Sequence, residues 1–305
     1  MLSDASAAGD ADVTHDRRCH QLGLALVLFA VVAWSTAGYF TRLIPVDSWT
    51  MQFWRAAFGA VTSLLAIVAM QRGRPARAFA RLGGATWLYA LVSGLGMTCF
   101  LGALSLTSVA HVAIVYAALP FVAAIMAALA LRERAAPGTL LASLAAFAGI
   151  ALASVDGAGE GHWTGDLVAV GMTLLMGVMI VLARRHPGIP MVPAAFLSTV
   201  VAGLIAAPFA TFWPLDARTL LLLAAFGASN TALGLILFAI GSTMIPAAES
   251  ALIGSLEAPL APFWVWLAFG ETPLPLTIAG GALVMAAVLS HVLIGARRVP
   301  LPAQP

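Results

Sequence analysis

Residues 119–154, LPFVAAIMAALALRERAAPGTLLASLAAFAGIALAS, and residues 258–290, APLAPFWVWLAFGETPLPLTIAGGALVMAAVLS, repeat one pattern. Each opens near a proline, continues as an apolar run, meets a glutamate at the helix end and resumes as a second helix rich in small residues. Glu133 follows Pro120 by 13 residues, and Glu271 follows Pro259 by 12. A second correspondence lies upstream: Gly23 to Arg42 and Gly165 to Arg184 share one offset of 142. The chain therefore carries an internal duplication, and what each copy contains decides the fold.

Each copy is too apolar for water. Of the 305 residues, 61% are hydrophobic and 9% charged, against about 25% charged in soluble domains. A bilayer-spanning helix needs roughly 20 apolar residues. Ten runs meet that length, near 22–42, 50–70, 86–107, 109–131, 138–155, 165–183, 193–213, 218–240, 247–269 and 275–295. Five fall in each copy. Five is odd, so the second copy enters the membrane with the opposite orientation. The expected fold is an all-α integral membrane protein, with ten transmembrane helices as two inverted five-helix repeats around a central cavity. The expected divisions are a disordered cytoplasmic tail at 1–21, repeats at 22–155 and 165–295, and a short cytoplasmic tail at 296–305. The arginines at 17 and 18 followed by an apolar run resemble a signal peptide. Cleavage there would destroy the five-plus-five arrangement, so the first run is kept as a span.

Charge sets the expected orientation. Twelve of the fifteen arginines, from Arg17 and Arg18 to Arg297 and Arg298, fall on one side; Arg42 and Arg218 fall on the other, and Arg55 lies at a span edge. The loop at 156–166 carries Asp156, Glu160 and Asp166 and no arginine. The positive-inside rule then places both termini in the cytoplasm. The sequence contains no lysine. This removes a P-loop ATPase and any Schiff-base cofactor. Cys19 and Cys99 lie at different expected depths, so no disulfide is predicted, and neither shows metal-ligand spacing. No cofactor, metal or nucleic-acid partner is expected. The expected partners are a small-molecule substrate and the lipid bilayer.

Four segments resemble the EamA type of the drug/metabolite transporter superfamily: ALSLTSVAHVAIVYAALPFVAAIMAALALRE (103–133), AIGSTMIPAAESALIGSLEAPLAPFWVWLAFGE (239–271), AWSTAGYFTR (33–42) and FWRAAFGA (53–60). The likeness covers nearly the whole chain. It implies a ten-helix bacterial inner-membrane carrier with a central cavity, and its nearest likeness within that superfamily is to the YddG-like amino-acid exporters.

Few residues are available to contact a polar solute. Glu257 lies about 12 residues, or roughly 18 Å, from the end of its span, close to the middle of a ~30 Å core. A mid-membrane charge ordinarily faces a cavity or a partner. The alternative is a glutamate that only ties helices together. Asn230, in GASNTALG (227–234), is 11 residues before Gly241, and Glu257 is 11 after Pro246. A short turn between them gives both the same depth, as a polar floor for a substrate's head group. Glu249 lies near the inner end of the same span as Glu257. His111 lies at the outer end of the fourth run, where a lone histidine is commonly an interface residue. The repeat offset sets His111 opposite Glu249, or Ser250 by the proline offset, so polar positions recur at opposite depths, as two gates require. Trp34, Tyr39, Phe100 and Tyr116 are candidates for the cavity wall, or else packing residues. Arg55 either snorkels to the interface or draws an anion to the cavity mouth. His291 reads as interfacial, and Trp49, Trp163 and Trp213 fit an aromatic belt.

The expected function is export of small metabolites by alternating access, amino acids with apolar or aromatic side chains foremost. Efflux of cationic compounds is the alternative. An intramembrane enzyme built on Ser255, Glu257 and His291 is disfavoured. Ser255 and Glu257 are i,i+2 on one helix and point apart, and no G-x-S-x-G elbow is present.

Overall fold

The computed structural model describes residues 2–72, 76–80, 82–107, 109–155, 163–212, 214–270, 272 and 274–297. Arg74, Arg81, Asp156, Glu160, Trp213, Glu271 and the last eight residues, with the expectations placed on them, lie outside the described residues. Among the described residues ten helices are long and apolar enough to cross a membrane: Arg18–Leu43, Ser48–Met70, Gly84–Ala103, His111–Leu131, Pro137–Ser154, Trp163–Arg185, Met191–Phe209, Ala217–Gly241, Ala247–Phe269 and Pro275–Ile294. They are called the first to tenth spans below.

One expectation is corrected at the N-terminus. Residues 2–21, expected to be disordered, are helical, because the first helix runs unbroken from Leu2 to Ser35. Alanines at 5, 7, 8 and 11 favour this. Extending a helix already nucleated by the apolar run costs far less than starting one.

The helix pairs obey the symmetry of the duplication. The third span packs on the sixth, and the eighth on the first. The seventh packs on the third, and the second on the eighth. The fifth and tenth, the second and seventh, and the fourth and ninth pack on their own counterparts. Small residues permit these contacts. A Cβ at Gly149, on the fifth span, would lie 2.9 Å from Val284 Cγ2 and 3.1 Å from the Val284 nitrogen on the tenth. Lipid tails give helices little hydrophobic reason to associate, so such close packing supplies the attraction.

Both copies end their repeated helix alike. Arg132 (φ 57°) closes Leu119–Leu131 and Gly270 (φ 68°) closes Glu257–Phe269, each in the left-handed region. Gly270 adopts this without strain; an arginine there costs about 1 kcal/mol. The second span begins on a cap. Asp47 accepts from the backbone N–H of Trp49 and Thr50, each at 3.0 Å. Burial opposes ionisation of the Asp47 carboxyl, but bonds from Thr50 and Trp49 outweigh it and hold the group below the ordinary aspartate range.

Core packing is unequal along the bundle. The largest buried cluster takes the early half of the first span (Leu24, Val27, Val31), the late half of the fourth (Ala123, Ala127) and of the sixth (Ile180, Ala183), and the start of the ninth (Ile253, Leu256). All these lie toward one end, where Arg184 and Arg185 sit. Toward the other end the core divides in two. Ile44, Met51, Leu223 and Phe226 form one cluster, and Ala103, Val112, Ala169 and Met172 form the other. The cavity described next lies between these two and rests on the first.

Candidate functional site

Several spans are interrupted at the level where the core divides. The first breaks at Thr36, between helices Leu2–Ser35 and Ala37–Leu43. Ser35 Oγ donates to the Val32 carbonyl at 2.8 Å and Thr36 Oγ1 to the Ala33 carbonyl at 2.6 Å. Such back-bonding competes with the backbone ladder and bends helices. The fourth span breaks at Ala118, ahead of Pro120, and the ninth at Ser255–Leu256, ahead of Glu257 and Pro259. The breaks thus recur in the two copies. The eighth span widens into a π-helical turn over Gly227–Gly234, with Asn230 at its middle.

Asn230 and the broken first span hold each other. The Asn230 amide donates to the carbonyls of Ala33 and Trp34, both at 3.0 Å, and Trp34 Nε1 returns a bond to the Asn230 carbonyl at 3.1 Å. Carbonyls freed by the break and by the π-turn are thereby satisfied inside the protein, as a low-dielectric setting requires. Trp264 Nε1 adds a bond to Ser35 Oγ at 2.8 Å.

Around this clasp lies a cavity of about 90 Å³. Most of its wall is apolar or aromatic: Trp34, Met97, Phe100, Tyr116, Leu235 and a stripe of Met172, Met176 and Met179. Two charges interrupt it. Glu257 begins the second half of the ninth span, and Arg55 reaches in from the second. Arg55 is only 4% exposed. Its Nε donates to Gln52 Oε1 at 2.9 Å, and its guanidinium lies 5.2 Å from the centroid of the Phe226 ring. This leaves the two Nη groups for the cavity. Arg55 and Glu257 are within electrostatic reach of one another, yet they form no ion pair among the described contacts. Ser93 Oγ and Thr231 Oγ1 are buried on the same wall without a hydrogen-bond partner. A cavity with separated opposite charges, spare hydroxyls and an apolar wall suits a small dipolar solute.

The structure distributes the sequence candidates unevenly. Glu257, Asn230, Trp34, Phe100 and Tyr116 line this cavity. Glu257 and Asn230 share its wall, but the Asn230 amide is directed to backbone carbonyls, so the two do not form the expected amide–carboxylate pair. Tyr39 does not reach the cavity. It follows the break in the first span and lies in a lateral apolar groove with Phe29, Phe40 and Trp264. His111 is also outside the cavity. Its Nδ1 meets Asp166 Oδ1 at 3.1 Å, where Thr107 Oγ1 also donates at 2.9 Å, joining the fourth and sixth spans at the far end from Arg184. Glu249 lies outside as well, between His20 and His291. Turn geometry fixed the depth of these residues but not their rotation about the helix axis, so polar partners on neighbouring spans captured them.

The sequence leaves Arg55 between snorkelling and a place at the cavity mouth, and the structure sets it in the cavity wall. Seven residues inside its span, it was open to a snorkelling reading, but the aromatic ring of Phe226 and the Gln52 amide hold it inward. The signal available was the mid-span glutamate, Glu257, which calls for a counter-charge. The methionine stripe was overlooked too, although its i, i+4, i+7 spacing marks one helix face.

Comparison with known proteins agrees with this architecture. A solved crystal structure aligns with a TM-score of 0.77 over 90% of this chain and 99% of its own, at 20% identity. That likeness concerns the fold. No curated protein matches. The profile of the EamA-like transporter family matches residues 21–155 and again residues 163–293. With two matches that together span most of the chain, on a ten-helix membrane fold around a cavity, the protein belongs to the EamA-like transporter family, whose members are membrane transporters of small molecules.

Proposed function

We propose that this transporter is a secondary carrier for zwitterionic metabolites, amino acids with apolar or aromatic side chains foremost, and that it exports them by alternating access. The observation that carries the reading is the pair of opposite charges, Arg55 and Glu257, facing one apolar cavity with no direct ion pair among the described contacts. An α-carboxylate meets the Arg55 Nη groups and an α-ammonium meets Glu257. The side chain lies against Phe100, Tyr116 and the methionine stripe, whose flexible thioethers accept differing shapes. A simple cation is favoured by Glu257 but opposed by Arg55, which weighs against cationic efflux. The resemblance to YddG-like exporters points the same way. The arginine distribution supports both termini in the cytoplasm, and the family resemblance implies a bacterial-type inner membrane.

The test is efflux from proteoliposomes loaded with phenylalanine, leucine, glutamate or a quaternary ammonium compound. Phenylalanine and leucine are expected to leave. Glu257→Gln is expected to slow them at least about tenfold, the equivalent of 1.4 kcal/mol. Transport of the quaternary ammonium compound without either amino acid overturns the proposal in favour of cationic efflux.

A further inference from the structure

Glu249 is the start of a separate charged cluster at the arginine end. It is 6% exposed, in the first turn of the ninth span. Its Oε2 lies 3.0 Å from His20 Nε2 on the first span, and its Oε1 lies 3.4 Å from His291 Nε2 on the tenth. One carboxylate therefore joins three helices from both repeats, each oxygen committed to a different ring. This end is also where the largest buried cluster closes the bundle beneath the cavity.

Among the described side chains, Glu249 forms its ion pairs with His20 and His291 alone. The ninth span packs here on the first, fourth, fifth and sixth. The fourth span's helix Leu119–Leu131 and the fifth span Pro137–Ser154 contain no ionisable side chain. From the sixth comes Arg184, already bonded to Glu133 and to the Ile245 carbonyl; Arg185 donates to the Ala130 carbonyl. From the first come Arg18, which is exposed, and Cys19, which is half-buried. Arg297 follows His291 on the tenth helix. The eighth span, packed on the first, has Arg218 alone, at its other end.

We propose that Glu249, His20 and His291 form a proton-operated latch that holds the arginine end of the carrier closed. With one imidazole protonated, the cluster is neutral and the ring–carboxylate contact is an ion pair. With both rings neutral, a nearly buried carboxylate keeps only uncharged donors. An unpaired buried charge is costly, and water entering between the first, ninth and tenth spans relieves it. Histidine is the side chain whose ordinary pKa lets this happen near neutrality. Acid therefore favours the closed end, and rising pH releases it. The proposal does not depend on what the carrier transports.

The experiment uses full-length protein in nanodiscs without substrate. The native cysteines are replaced (Cys19→Ser, Cys99→Ala), and spin labels are placed at Gln21 and Leu293, exposed positions beside the two histidines. Electron–electron distance measurement is expected to give a single short distance at about pH 5.5. A longer population should grow about tenfold by about pH 8, the range in which an ordinary histidine loses its proton. Glu249→Gln, and separately the double change His20→Gln with His291→Gln, is expected to abolish the pH dependence; having two variants guards against failure of one to fold. An unchanged distance across this pH range, or the same change in either variant, overturns the latch.

Discussion

Replacing Asn230 with alanine separates a structural clasp from a ligand-binding amide. The Asn230 amide group makes two bonds at 3.0 Å, to the Ala33 and Trp34 carbonyls at the break in the first span. Each intramolecular bond of this kind contributes about 1 kcal/mol net. Asn230 is 6% exposed, so the Trp34 carbonyl it leaves gains little water, while the Ala33 carbonyl keeps its bonds from Thr36. The expected loss is about 2 kcal/mol or somewhat more, roughly a thirtyfold fall in the folded ratio. Asn230→Asp should cost at least as much, since a carboxylate cannot donate and would face two carbonyl oxygens. The assay is thermal unfolding of purified protein in detergent, read beside transport in liposomes below the transition. Both variants should melt several degrees lower while keeping measurable transport. If Asn230→Ala melts like the parent but transports nothing, the amide binds substrate and the clasp argument is wrong.

Other substitutions test other parts. Gly149→Val, placed against Val284 and the backbone around Gly280, should destabilise by about 1–3 kcal/mol through overpacking. Gly171→Ala meets no atom within 4 Å on the sixth span and should stabilise by up to about 1 kcal/mol; thermal shifts of opposite sign check both. Asp47→Ala should cost about 1 kcal/mol by uncapping the second span, a small effect because the side chain is exposed. The folded state holds the Asp47 carboxyl below its ordinary value of 3.8. Its contribution is therefore complete above that value and lost as pH falls through the lower folded value. Chemical unfolding of parent and variant should differ by a constant amount from about pH 5 to 8 and converge in stronger acid.

The duplicated segments, the spacing of Pro120 and Pro259, and the length of the apolar runs made the ten-helix plan legible. Hydrophobic length is a property of each segment alone, because lipid imposes it before any helix meets another. That Glu257 and Asn230 share one level was legible for the same reason, since rise per residue is fixed and both line one cavity.

Only the packed bundle decided which way these side chains face. Rotation about a helix axis depends on where neighbouring small residues permit close approach, as at Gly149 and Gly280. That rotation brought Arg55 in beside Phe226, gave the Asn230 amide to Ala33 and Trp34, and kept Tyr39 outside. The pairs His111–Asp166 and His20–Glu249 join residues 55 and 229 positions apart. No local pattern encodes such pairs, because an ion pair across helices exists only once two spans are placed side by side. The sequence by itself determined how many helices are long and apolar enough to cross and where along its helix each polar group lies; the tertiary structure decided which polar groups share the cavity, because partners within hydrogen-bond reach are set by packing between helices and not by distance along the chain.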